Sequence, residues 1–279
     1  MASTPKRVVS HTVKTVLGMK NELSALLPNT YNPDLSCTLN AKYGVFNTEA
    51  PANVPIIRYF GIGINGHYNV TDTNLSEARI PSMTNMDLFT PIPFICVPLT
   101  EDKSSYYTNY RMRVIQNIGG TPYVYYYLKK IQLHDTEVKL RRIDPITKKE
   151  VIYELDASNL YPVPPIPMTT GVITGTSTEI NVSQKFILPI SGAEVSEVVN
   201  VIYNGDLRYA KVSEYGLYTG EERRVDGYDA MSQAFKYTEA ICVQLATHTC
   251  TIGTEATHPS AVLDRIIVVS GGNIAVLDT

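Results

Sequence analysis

The chain has 279 residues, a net charge of −3, 44% hydrophobic side chains, and an aromatic set of 19 Tyr and 6 Phe with no Trp. Such a length and apolar content support a substantial buried core and exclude wholesale disorder. The basic residues are dispersed and form no stripe of the kind a nucleic-acid binder shows, so no direct nucleic-acid contact is expected.

In chain order, residues 1–13 (MASTPKRVVSHTV) lack the apolar centre of a signal peptide, and no apolar run is long enough to span a bilayer. Synthesis in the cytoplasm without membrane insertion is the expectation. Residues 1–6 read as a loose tail. Val9, Val13, Val16, Leu17, Leu23, Leu26 and Leu27 then recur at roughly helical spacing up to Pro28. Gly18 and the β-branched residues before it also fit a strand followed by a short helix. Residues 28–82 are turn-rich, with short runs at 36–39 and 56–60 between Asn32-Pro33, Pro51 and Pro55. Gly61, Gly63 and Gly66 match the dinucleotide fingerprint G-x-G-x-x-G. That fingerprint works only when its third glycine opens a helix whose amides hold a pyrophosphate. Residues 67–74 are turn and strand formers, so the motif reads as a strand end and turn relieved by glycine.

Residues 83–100 are apolar but interrupted by Pro91, Pro93 and Pro98, which forbid a helix and confine any strand to an edge. They read as a clamp between domains. Residues 110–133 form the most legible stretch. Two β-type runs flank Gly119-Gly120-Thr121-Pro122 and predict a hairpin, with Tyr125 and Tyr127 aligned on one face toward a core or an interface. A second hairpin, amphipathic at period two, is predicted from residues 137–142 and 151–155 around Asp144-Pro145. Four prolines in residues 161–167 form an extended strap. Beyond it, residues 185–190 and 195–203 read as core strands, and Asn204-Gly205 as a turn into 207–217. A short helix is expected over 226–238, capped by Asp226 or Asp229. Residues 239–251 alternate as a strand, and 265–269 with 274–277 read as a closing hairpin.

The fold class these runs predict is mainly β, with β-sandwich-like domains and short helices; α+β is the second choice. The predicted division is an N-terminal tail and helix (1–27), a first β segment (28–82), a β subdomain that reads as an insertion (83–165) and a C-terminal β domain (166–279).

Chemistry is sparse. Cys37, Cys96, Cys242 and Cys250 are too few for a disulfide scaffold and read as reduced thiols. Cys242, His248, Cys250 and His258 resemble a metal set, but on an extended strand the two cysteines stand about 26 Å apart, too far to share one ion. Glu221, Glu222, Asp226 and Asp229 beside Arg223 and Arg224 read as an exposed loop, and nothing in their spacing holds two carboxylates across a glycosidase cleft. No G-x-S-x-G, H-E-x-x-H or P-loop occurs. No catalytic residue, metal or cofactor is expected, and a carbohydrate-active or nucleotide-binding β enzyme is the competing class. The surplus of tyrosine suits protein contacts. Candidate interface residues are Tyr110, Tyr123, Tyr125, Tyr127, Phe89, Phe94, Tyr215 and Tyr218.

Several phrases carry a family resemblance. NTYNPDLSCTLNAKYGVF, PIIRYFGIGINGHYNV, TNMDLFTPIPFICVPL, YYLKKIQL and EVKLRRIDPITKKEVIYELDASNLYPVPP resemble virion structural proteins of tailed bacteriophages. KVSEYGLYT (residues 211–219) is similar to a phrase common in tail and baseplate components. The resemblance implies a β-rich, non-enzymatic, often dimeric baseplate-wedge protein of a contractile tail, located in the virion and linking neighbouring subunits. Other tail or baseplate proteins and further copies of the chain are the implied partners. A neck, collar or tail-completion component is the second assignment.

Overall fold

The computed structural model describes residues 9–27, 31–70, 75–103, 106–132, 138–143, 149–154, 156–157, 178–255, 262–270 and 274–276. The tail at 1–6, the Asp144-Pro145 turn, the proline strap 161–167, His258 and residues 271–273 lie outside the described residues. The protein is mainly β, with a few short helices. It divides into two compact units, residues 1–131 with 189–263 and residues 132–188 with 264–279.

In the first unit an eight-stranded antiparallel sheet runs in the order β1 (Ser10–Lys14), β13 (Ala234–Glu255), β12 (Lys211–Tyr228), β2 (Ile56–Gly63), β8 (Thr121–Lys130) and β6 (Ile95–Pro98). β5 (Pro91–Ile92) pairs with β2, and β7 (Tyr110–Ile118) pairs with β8. Within the predicted 83–165 subdomain, the strands between residues 91 and 130 thus share one sheet with the strands around them. The β7–β8 hairpin turns on Gly119 and Gly120, with φ of 56° and 89°, as a two-residue primed turn requires. β6 ends the sheet, where its single proline, Pro98, leaves no ladder partner wanting. β3 (His67–Asn69) and β4 (Ser76–Ala78) form a separate ribbon. The strand β3 stands where a dinucleotide site would need a helix.

The long β12–β13 hairpin is the spine of this unit. Residues 212–220 and 239–251 are buried along their whole length, so both faces of these strands are covered. Tyr59, Phe60, Tyr215, Leu217, Val243 and Leu245 are among the fully buried residues of β2, β12 and β13. The second unit is a five-stranded sheet ordered β10 (Glu150–Ile152), β9 (Val138–Ile143), β11 (Thr178–Ser191) and β14 (Val262–Ser270), with β15 (Ile274–Val276) also on β11.

Four expectations are corrected. Residues 195–203 are not a strand but most of helix α3 (Gly192–Ile202; α1 and α2 are Val16–Ala25 and Leu39–Tyr43). Ser191 and Glu194 build a capping box, and buried Val195, Val198 and Val199 repeat at i, i+3, i+4, a helical period carried by residues of β propensity. Residues 226–238 are not a helix but the end of the β12–β13 hairpin. The Asp229 carboxylate accepts from the backbone N–H of Met231 at 2.9 Å and Gln233 at 2.8 Å, folding a tight turn where a helix cap was expected. Glu221 to Asp226 therefore lie on strand β12, not in a loop. The last two strands each pair with β11 and do not form a hairpin.

Candidate interaction surface

At the N-terminus the structure adopts a strand followed by a helix, and the helix is inverted relative to the usual amphipathic rule. Thr15 caps α1, accepting from Gly18 N–H, and Gly18 lies so close to β13 that an added Cβ would stand 2.5 Å from the Ala246 carbonyl oxygen. Buried Asn21 donates to Thr219 Oγ1 at 3.1 Å and Gln244 Oε1 at 3.0 Å. The inward face is thus made of small and polar residues. Val16 and Leu23, seven residues apart and therefore on one helical line, point outward, with Leu23 65% exposed. Leu26 and Leu27 are exposed beside them.

β1 closes one end of the sheet. Ile252 N–H donates to Val9 C=O and Thr15 N–H to Ala246 C=O, so odd-numbered residues 9 to 15 turn their backbone groups toward β13. The alternation of an antiparallel ladder then turns those of Ser10, Thr12 and Lys14 away from it. Among the described residues β13 is the only strand paired with β1. Lys14 pairs with Glu22 at 2.9 Å, a charge on an open edge that discourages indiscriminate strand addition.

Next to this edge lies a groove of about 390 Å³ lined by His11, Tyr68, Glu77, Arg79, Ile80 and Phe89. Val16 N–H donates to Met83 C=O, which joins α1 to the loop that carries the groove. Ile80, Met83, Met86 and Phe89 along that loop are all exposed, Ile80 by 76%, as is Tyr68 on β3.

A buried polar cluster anchors the loop. Glu214 on β12 is fully buried, and its carboxylate accepts from the N–H groups of Asn65 at 2.6 Å, Phe89 at 2.6 Å and Thr90 at 3.3 Å. His248, equally buried, holds Nε2 3.4 Å from Glu214 Oε2 and 3.6 Å from Cys250 Sγ, and Asn85 Nδ2 donates to its Nδ1 at 2.9 Å. The remaining ring proton then sits on Nε2, facing the carboxylate. The Phe89 ring covers this imidazole, with centroids 4.9 Å apart. Cysteine, histidine and asparagine in this order are the groups of a thiol nucleophile, but burial, followed by the nearby Glu214 charge, pushes the Cys250 thiol up to about 12. A protonated thiol closed off from solvent packs and does not attack. The cluster is a rivet under a surface loop. Gly66 completes it, donating its N–H to Ser213 Oγ at 2.9 Å at a point where any Cβ would strike the Ser213 carbonyl.

A protein-family model described as a family of unknown function, DUF7208, matches residues 1–262. The chain belongs to that family. No curated protein and no solved structure matches it.

In this DUF7208 chain the eight aromatic residues singled out from sequence fall in different places. Phe94, Tyr125, Tyr215 and Tyr218 are buried in the chain's own core, with Tyr218 OH donating to Asp87 at 2.7 Å. Tyr125 and Tyr127 do share a face, their rings stacked at 6.0 Å, and Tyr127 stacks in turn on Tyr43 at 4.7 Å. Tyr110 donates to Glu194, and Tyr123 is half-buried on β8. Only Phe89 belongs to the exposed surface around β1. Tyr68, Ile80, Met83, Met86 and Leu23 were missed. The clue available for Leu23 was Gly18 and Asn21 at helical spacing from Thr15, a polar stripe able to face a sheet.

Proposed function

We propose that the chain is a structural subunit that works by packing against other proteins, and that its setting is the virion of a tailed phage, as a baseplate-wedge protein joining neighbouring tail subunits. The observation that carries the packing role is the apolar rim around β1. Single exposed apolar residues are ordinary on a protein surface, but a connected set beside an open strand edge marks an interaction site. The virion setting rests on the resemblance of the quoted phrases to tail and baseplate proteins. Partners are other tail proteins and further copies of the chain.

The test is the double variant Ile80→Ser, Met86→Ser. Both side chains are exposed, so its stability should change by no more than about 1 kcal/mol. Incorporation into purified particles, read by quantitative immunoblot, should fall at least tenfold, and a cryo-EM map of the particle should show the β1 rim covered by a neighbouring subunit. Particles that lack the wild-type chain, or that take up the variant normally, overturn the reading.

A further inference from the structure

The outer edge of β1 carries a row of polar backbone groups. Ser10, Thr12 and Lys14 turn their N–H and C=O groups away from β13, and none of these groups has a hydrogen-bond partner among the described residues. Ser10 and Thr12 are also exposed. Of the surfaces a protein can offer, only another strand meets both groups of each residue at the spacing of such an edge. The two faces of β1 differ in character. His11 and, by alternation, Val13 lie on the face of the groove that Ile80 and Phe89 also line. On the other face Thr12 Oγ1 meets Thr249 Oγ1 at 3.0 Å and Lys14 pairs with Glu22.

We infer that the strand laid on this edge is β1 of a second copy of the chain, antiparallel about a two-fold axis at Thr12, an inference that rests on the packing role proposed above. The two eight-stranded sheets then become one. The chain's own edge is complementary to itself. A two-fold at Thr12 sets Ser10 against Lys14, Thr12 against Thr12 and Lys14 against Ser10, so every outward N–H of one copy meets an outward C=O of the other. Sliding the register either way leaves some of these groups unmet. The charges agree with that register. Lys14 of each copy faces the Ser10 hydroxyl and keeps its own Glu22, whereas a register that opposed the two lysines would be penalised. A threonine pair on the axis is itself a favourable cross-strand combination. On the groove face the same rotation sets Val13 of each copy beside His11 of the other, which brings an apolar side chain to the groove mouth. An edge of five residues is short, so the backbone sets the register while exposed Ile80 and Phe89 beside it supply apolar area.

The experiment is sedimentation velocity on the purified full chain over a concentration series, with amide exchange followed by NMR. The chain should pass from monomer to dimer as its concentration rises, and the Ser10, Thr12 and Lys14 amides should gain protection over the same range. Thr12→Pro removes an outward N–H and none of those bonded to β13, so it should keep its circular dichroism and stay monomeric. Ser10→Lys opposes a second lysine to Lys14 at both symmetric places and should weaken the dimer about tenfold, while Ser10→Glu should strengthen it. Ser10 is exposed, so this pair of variants decides the matter if the proline loosens β1. A chain that stays monomeric, a dimer that survives Thr12→Pro, or one that Ser10→Glu weakens as much as Ser10→Lys overturns the assignment. Self-association in solution reads this edge alone, whereas loss of the chain from particles reads the packing role, so the two can fail separately.

Discussion

Glu214 shows how one residue can set a surface without reaching it. Its carboxylate holds three backbone N–H groups from two loops, and His248 sits against it inside the core. Glu214→Ala would leave three buried donors and a histidine without their acceptor. At about 1–3 kcal/mol for each stranded donor, partly relieved by loop movement, the loss should reach about 3 kcal/mol or more in urea unfolding. The Phe89 and Thr90 amides should exchange faster by hydrogen exchange than those of strand β13. A loss below about 1 kcal/mol, or unchanged exchange at those two amides, would show that the loop is held by something else. None of this was legible in the sequence, where Glu214 is one acid within a strand-like phrase. Its importance comes from Gly63 and Gly66, whose bare backbones let the loop come close enough to be bound.

At the scale of elements, the legible parts are those whose signal is local. Gly119-Gly120 between two aromatic runs marks the β7–β8 hairpin, and the alternation of 239–251 marks β13. The errors arise where a local signal serves two structures. Valines at 195, 198 and 199 have strand propensity and helical spacing together, and burial on one face decided for the helix. Asp229 followed by Ala230, Met231 and Ala234 has the composition of a capped helix, yet the same carboxylate closes a hairpin turn. Ser232 distinguishes the two, since it adopts φ of 59° in the turn. Ser232→Gly should relieve that left-handed backbone by about 1 kcal/mol, offset in part by the greater freedom of glycine in the unfolded chain. A net gain of about 0.5 kcal/mol in thermal unfolding is expected. In a helix the same change would cost about 0.5 kcal/mol, so a loss of that size would reject the turn.

For the whole molecule, the pairing of β1 with β13 and of β2 with β12 joins segments more than 140 residues apart, and no local pattern encodes that partnership. Beyond apolar burial, inward charges tie further parts of the first unit together. Arg113 on β7 is the clearest. Its Nε and Nη2 donate to Asp102 at 2.9 and 2.7 Å, both side chains are at most 5% exposed, and Tyr126 OH donates to the other carboxylate oxygen at 2.9 Å. The guanidinium also lies 5.4 and 5.8 Å from the rings of Phe235 and Tyr237 on β13. Removing one partner of such a pair strands the other, so Arg113→Met should cost about 3–5 kcal/mol and Asp102→Leu a similar amount. The double variant should cost far less than the sum, because it strands no charge. Raising the salt concentration should leave the wild-type melting temperature nearly unchanged, since charges this buried are poorly screened. Single variants that add without coupling, or a melting temperature that falls steeply with salt, would show that the pair is a surface contact and that apolar packing alone ties β7 to the end of the long hairpin.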